Sequence, residues 1–303
     1  MIRIGTRDSQ LAVWQAEQVL NYFRSIDQPA ELVYIKSEGD TDLITPLYAM
    51  GVQGVFSRAL DAALLNDRID IAVHSMKDVP VQLAQGIIQA AVLKRATYKD
   101  ILVYKESPAF LDDLGYAGTI ATSSIRRKAQ WLHRYPNYNI ENLRGNVNTR
   151  LRKVEESNWN GAIFAAAGLE RIGVRPSNSI DLDWMLSAPA QGAILVVCRQ
   201  ADEHLAEQAA GLNDAATALC VKAERDFLKT LQGGCTAPIS ALAQVENDEI
   251  HFVGSIFSVD GMQKVLVDER ASITGAGNIG IEAGEYVLAN GGKEIAETIR
   301  NGK

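Results

Sequence analysis

Three separated stretches of the 303-residue chain hold residues whose types and spacing could do chemistry. The first is HSMKDVP at 74–80, directly after the apolar run IDIAV. A strand that ends in such residues places them at its carboxyl edge, where open α/β sheets bind ligands. Asp78 beside Lys77 is a candidate for moving protons. The blander alternative is a polar turn closed by Pro80, and His74 alone reads as a hydrogen-bonded structural histidine.

The second set is made of arginines. TSSIRR (122–127) puts Thr122, Ser123 and Ser124 as a cap directly before Arg126 and Arg127 in the first turn of an expected helix. Cations there oppose the helix dipole. They suit the position if an anion sits at that helix N-terminus, held by backbone N–H groups and both guanidinium forks. LRGNVNTR (143–150) adds Arg144 and Arg150 around the turn at Gly145, and GLERIG adds Arg171 after an apolar run. Arg7 holds the matching place after the first strand. Any one of them could belong to a solvated basic face. As a set, in a chain of formal net charge -7, they favour a pocket for a polycarboxylate or phosphorylated ligand, which guanidinium groups bind bidentately.

The third stretch is LQGGCTAPIS (231–240), with Cys235 behind two glycines and just ahead of a proline. The glycines remove side chains and permit positive φ, so this loop can come close to a bulky group. Cys198, Cys220 and Cys235 are too few and too scattered for a disulfide framework. They lack CxxC spacing, and His74, His133, His204 and His251 form no metal-ligand pattern with them, so no metal is expected. A nucleophilic cysteine needs a base and an orienting group; the sequence marks none, and spatial proximity leaves the option open. Core burial, the default for a thiol, fits Cys198 and Cys220 and fits Cys235 badly.

These residues need a scaffold. IRIGT, ELVYIK, IDIAV, DILVYK, GTIAT, YNIEN and GAIFAAAG read as strands, with helix-period segments between them from SQLAVWQAEQVLNYF to NTRLRKVEES. The helix that carries Leu60, Ala63 and Leu64 on one face extends that face to Phe56. AILVVCR (193–199) is apolar throughout and reads as a strand returning to the first unit. The last ninety residues change character: a capped helix (DAATALCVKAERDFLKTL), then strands ISALAQV, EIHFVGSIFS and KVLVDERAS, then one or two helices. The expected fold is α/β, two α/β domains around a cleft with a smaller α+β C-terminal domain. A hydrophobic share of 47% with 22% charged residues fits a soluble globular protein. The acidic balance argues against nucleic acid as a partner, and no apolar run reaches the ~18 residues of a membrane span. The N-terminus has no signal-peptide pattern, and the cysteine usage points to the cytoplasm.

Read in order, these motifs resemble one family, porphobilinogen deaminase. RIGTRDSQLAVWQA is similar to its N-terminal signature, DIAVHSMKDVP to its catalytic loop, and AERDFLKTLQGGCTAPI to its cofactor-attachment motif. TSSIRR, LRGNV-TRL and AAAGLERIG resemble its carboxylate-binding segments, and APAQGA its returning strand; such a series is far more specific than any single motif. The resemblance implies two periplasmic-binding-protein-like domains and a third, bounded at 1–94 with 190–212, 97–189 and 213–303. It implies a dipyrromethane cofactor joined to Cys235 by a thioether. Onto this cofactor four porphobilinogen molecules are condensed with loss of ammonia, before hydrolytic release of hydroxymethylbilane. By the same resemblance Asp78 is catalytic, and Lys77, Ser123, Arg126, Arg127, Arg144 and Gly145 hold the cofactor. Arg7, Ser9, Gln15, Phe56, Thr122, Arg150, Arg171 and Gln191 then face the substrate, and the enzyme is a monomer. The sequence departs from the family pattern at Gln53, where a lysine is usual, at Ala59, where a glutamate is usual, at 97–99, and at Ala190, where a glycine is usual. The rival reading is a non-catalytic α/β anion-binding protein with an arginine-lined cleft.

Overall fold

The structure, a computed structural model, describes residues 1–36, 57–233 and 237–301. These form two compact units, the first from 1–36, 57–96 and 191–219, the second from the remainder.

In the first unit β1 (Ile2–Thr6), β2 (Ala30–Tyr34) and β3 (Ile71–Ser75) run parallel, while β10 (Ile194–Arg199) lies antiparallel between β3 and β4 (Ile87–Val92). The sheet order is therefore β2-β1-β3-β10-β4. Helix α1 (Gln10–Ser25) buries Ala16, Val19, Leu20 and Phe23, a helical stripe, against Ile4, Ile71, Val73 and Val196. Helix α2 (Arg58–Leu65) buries Leu60, Ala63 and Leu64. Asp70 ties the returning strand into this sheet: it accepts from Arg3 Nη2 at 2.7 Å and from Arg199 Nη2 at 3.0 Å. The apolar run ends at Val73, yet β3 continues to Ser75, because β10 pairs with it as far as Ile194 opposite Ser75. Strand β4 had no counterpart among the expected elements.

The second unit holds two sheets. Its first has the order β7-β6-β8-β5-β9, from β5 (Asp100–Tyr104), β6 (Thr119–Ala121), β7 (Asn139–Glu141), β8 (Gly161–Ala165) and β9 (Ser179–Asp181). Again three neighbours are parallel, and the fourth strand, β5, is antiparallel to both of its partners. Both sheets thus follow one plan. Helices α3 (Ile125–Arg134), α4 (Val147–Glu156) and α5 (Ala166–Arg171) connect the strands. GAIFAAAG, expected as one strand, divides after Ala165; pairing with β5 stops at Ala165 opposite Asp100, and the small residues that follow turn into α5. Leu102, Ile120 and Ile163 pack on one face with Trp131, while Ile101, Val103 and Phe164 pack on the other.

Helix α6 (Glu203–Ala209) closes the first unit, and α7 (Ala215–Thr230), capped by Asp214 on Thr217 N–H at 2.8 Å, runs on into the second. The second sheet there is a meander, β11 (Ile239–Glu246), β12 (Glu249–Phe257) and β13 (Lys264–Ser272). Asn247 and Asp248 both take positive φ (50° and 63°), as a two-residue hairpin turn demands. Helices α8 (Ile279–Val287) and α9 (Lys293–Asn301) complete it. Glu224 on α7 is wholly buried and accepts from Ala190 N–H at 2.6 Å and Ala243 N–H at 2.7 Å. Cys198 and Cys220 are buried, as expected of core thiols. The fold is α/β, with two α/β sheets of one plan and a smaller α+β region. No described helix is long and apolar enough to cross a membrane.

Candidate functional site

Parallel strands end on the same edge of their sheet, so the topology itself decides which loops meet. In the first unit Arg7 and Ser9 follow β1, and Lys77 and Asp78 sit on a single 3-10 turn (Met76–Asp78) directly after β3. The antiparallel β10 begins at this edge, Ile194 opposite Ser75, which brings in Gln191 just before it. Lys77 Nζ donates to Gln191 Oε1 at 3.2 Å, a contact between residues 114 positions apart. Gln15 on α1 is buried and donates to Ser75 Oγ at 2.9 Å, and Ser9 caps α1 by accepting from Ala12 N–H. The sequence reading did not include Ser75. Its signal is visible in retrospect: it is the last residue of β3, one side chain before the turn that carries Asp78.

His74, one residue earlier, is buried, and its Nε2 has no hydrogen-bond partner. Desolvation, with a smaller contribution from the Arg7 charge, lowers its pKa from 6.5 to about 4, so the ring is neutral at pH 7.

In the second unit the same construction gathers the arginines. Thr122 and Ser123 follow β6, Arg144 and Gly145 follow β7, and Arg171 ends the short helix after β8. Ser124 caps α3, accepting from Arg127 N–H. Ser123 donates to Leu143 O at 2.6 Å and accepts from Leu143 N–H at 3.0 Å, which joins the β6 and β7 loops. Gly145 takes φ +112°, and its carbonyl accepts from Arg150 Nε at 2.7 Å. A Cβ at this glycine would come within 2.7 Å of the Thr149 methyl group, so the turn needs glycine. Burial lowers the Arg171 pKa to about 10, still cationic at neutral pH.

The anion that answers Arg126 and Arg127 comes from the chain itself. Asp100, first residue of β5 and fully buried, accepts from Arg126 Nη2 at 2.7 Å on one oxygen and from Arg127 Nη2 at 2.7 Å on the other. Arg126 also donates to Leu186 O at 2.7 Å, and Arg127 to Ile163 O at 3.0 Å. Because β5 is antiparallel to β8, with Asp100 opposite Ala165, its first residue lies at the arginine edge. The sequence reading missed this carboxylate. Its only local sign is a charged residue opening an apolar strand.

One carboxylate against two guanidinium groups leaves a net positive charge at this pair. Arg126 Nε is moreover buried without a hydrogen-bond partner. This donor set suits a group carrying several carboxylates, as a dipyrromethane does. Cys235, Phe56 and Gln53 lie outside the described residues.

Comparison with known proteins agrees along the length of the chain. Residues 2–207 match the family model described as "Porphobilinogen deaminase, dipyromethane cofactor binding domain", and residues 218–289 match "Porphobilinogen deaminase, C-terminal domain". The porphobilinogen deaminase of Syntrophotalea carbinolica is 41% identical over 298 residues, covering 97% of this chain and 94% of its own. That of Trichlorobacter lovleyi is 40% identical over 302 residues (98% and 96%), and that of Desulforamulus reducens 37% over 306 (100% and 99%). A solved ancestral cationic amino acid solute binding protein superposes with a TM-score of 0.45 at 12% identity, covering 70% of this chain and 87% of that one. The two family matches take in the loops of both units and the C-terminal sheet alike, and the chain belongs to the porphobilinogen deaminase family.

Proposed function

We propose that the protein condenses porphobilinogen molecules head to tail, releasing ammonia at each addition, and finally releases hydroxymethylbilane by hydrolysis. It is then a transferase of the hydroxymethylbilane synthase type. The observation that carries this reading is the Lys77–Asp78 turn: a carboxylic acid at the carboxyl edge of β3, beside a lysine that Gln191 orients at 3.2 Å.

The dipyrromethane, when bound, supplies the free pyrrole carbon to which substrate is joined. In this reading Cys235 holds it through a thioether, and Ser123, Arg126, Arg127, Arg144 and Gly145 receive its acetate and propionate groups together with Lys77. Arg7, Ser9, Gln15, Phe56, Thr122, Arg150, Arg171 and Gln191 orient the incoming porphobilinogen. Asp78 gives a proton to the departing aminomethyl nitrogen, and its carboxylate then faces the positive charge left on the substrate pyrrole. The same carboxylate accepts the proton later lost from the ring carbon. One acid that alternates between two states serves both needs, worth roughly 10²–10⁴-fold in rate. The arginines explain how an acidic chain binds an acidic substrate. The enzyme works as a cytoplasmic monomer without nucleic-acid or membrane partners, in three domains at 1–94 with 190–212, 97–189 and 213–303.

Intact mass of the purified protein tests this directly. The native chain should exceed its sequence mass by two linked pyrrole units, and Cys235→Ala should not. An unmodified native chain from a host that makes porphobilinogen, with activity retained in Cys235→Ala, overturns the reading. A native chain that binds porphobilinogen without releasing ammonia would instead favour an anion-binding protein.

A further inference from the structure

Helix α3 presents Arg126 and Arg127 in its first turn; its other end faces the C-terminal sheet. Gln130, His133 and Arg134 recur at helical spacing. On the sheet, register sets Ser240, Ser255 and Leu266 in one cross-strand row and Phe257 opposite Lys264 in another. Strand alternation puts 255 and 257 on one face of β12, and 264 and 266 on one face of β13. Gln130 bridges the two elements, donating to Ser240 Oγ at 3.0 Å and to Leu186 O at 2.9 Å. Between the helix end and the sheet lies a cavity of about 320 Å³, a size that admits a small molecule.

Its lining is unusual in three respects. Two cations border it, each over an aromatic ring: the Arg134 guanidinium is 5.1 Å from the Trp184 centroid, and Lys264 Nζ is 5.7 Å from that of Phe257. Among the described residues neither cation joins an ion pair. Ser255 lines the cavity at 1% exposure, and its Oγ has no hydrogen-bond partner, a state that buried hydroxyls rarely keep. Gln130 and His133, the latter with its Nδ1 against Gly261 O at 2.8 Å, also line the cavity, and Leu186, Leu266 and the rings of Trp184 and Phe257 form its apolar walls.

We infer that this groove is a second ligand site, built for a small planar aromatic carboxylate. The apolar walls take the flat ring, Arg134 and Lys264 take carboxylate oxygens, and Ser255 supplies the remaining hydrogen bond. A bare inorganic anion would leave the apolar walls uncovered and gain only from the two exposed cations, which water already solvates. None of these residues belongs to the arginine edge of the sheet, so the site is separate from the one proposed for porphobilinogen.

Trp184 reports occupancy. Isophthalate should quench its fluorescence saturably, read as the difference between the native protein and Trp184→Phe. Arg134→Gln with Lys264→Gln should raise the half-saturating concentration at least tenfold, while Arg144→Leu leaves it unchanged and inorganic phosphate at equal concentration does not displace the probe. Both cation substitutions are at exposed positions, and ammonia release from porphobilinogen should stay within twofold, which separates this test from that of the proposed function. No saturable quenching up to about 10 mM, a millimolar limit of weak binding, overturns the inference. So does unchanged titration in the double variant, loss of binding in Arg144→Leu, or displacement by phosphate.

Discussion

Asp78 and Asp100 are both acidic residues next to cations, yet their surroundings give them opposite duties. Asp78 sits half-buried on a turn at the carboxyl edge of β3, where the proposed reaction needs an acid, whereas Asp100 is sealed under two guanidinium groups. Asp78→Asn keeps the shape and removes proton exchange, so single-turnover ammonia release should fall roughly 10²–10⁴-fold with folding unchanged. Near-normal release would reduce Asp78 to a turn residue. Asp100→Asn should do the reverse. It leaves two buried cations facing a neutral amide, a loss of about 3 kcal/mol or more, measurable as a lower urea midpoint. His74 adds a pH dependence of known sign. The unfolded chain takes up a proton near 6.5 that the folded chain refuses until about 4, so stability present above 6.5 is lost as pH falls through this window. Its full span is about 3 kcal/mol. Urea midpoints between pH 7 and 4.5 should fall more steeply for the native protein than for His74→Phe; parallel curves would show that the ring is not held neutral.

At the scale of elements, the return from the second unit to the first is the point of tension. Ala190 is fully buried at φ +60°, its N–H fixed on Glu224, where the family pattern has glycine. The left-handed conformation costs an L-residue roughly 1–2 kcal/mol, while replacing alanine with glycine gives back about 0.4–1 kcal/mol of unfolded-state freedom. Ala190→Gly should therefore stay within about 1 kcal/mol of the native protein. Ala190→Val, β-branched at positive φ in a sealed position, should cost about 2 kcal/mol or more. Equal urea midpoints for the two variants would show that the conformation stores no strain. Most elements could be read from the sequence because their signals are local. The stripe Ala16, Val19, Leu20 and Phe23 is α1, and the run AILVVCR is the strand that returns. The carboxylate under Arg126 and Arg127 could not be read, since 26 and 27 residues separate it from them and only the antiparallel placement of β5 brings it to their edge. Strand β4 was hidden for a similar reason: IIQAAV carries no alternation, and its partner β10 lies a hundred residues downstream.

On the scale of the whole molecule, a chain of net charge -7 keeps a concentration of guanidinium groups at one sheet edge. Like charges held close destabilise the compact state until an anion answers them, and at Arg126 and Arg127 one Asp100 carboxylate faces two guanidinium groups. The covalent dipyrromethane would be a ligand that never dissociates, so its carboxylates should stabilise the fold as a ligand far above its Kd does, by about 3 kcal/mol or more. Cys235→Ala should then unfold several degrees lower than the native protein, at about 2 °C per kcal/mol for a chain of this length. Inorganic phosphate should restore part of the difference in Cys235→Ala and shift the native protein much less. Sodium chloride at matched ionic strength should not, because screening acts on every surface charge while phosphate can accept several hydrogen bonds from one guanidinium edge. Equal recovery by both salts would mean that the deficit is diffuse repulsion, and that the arginine edge does not act as an anion site.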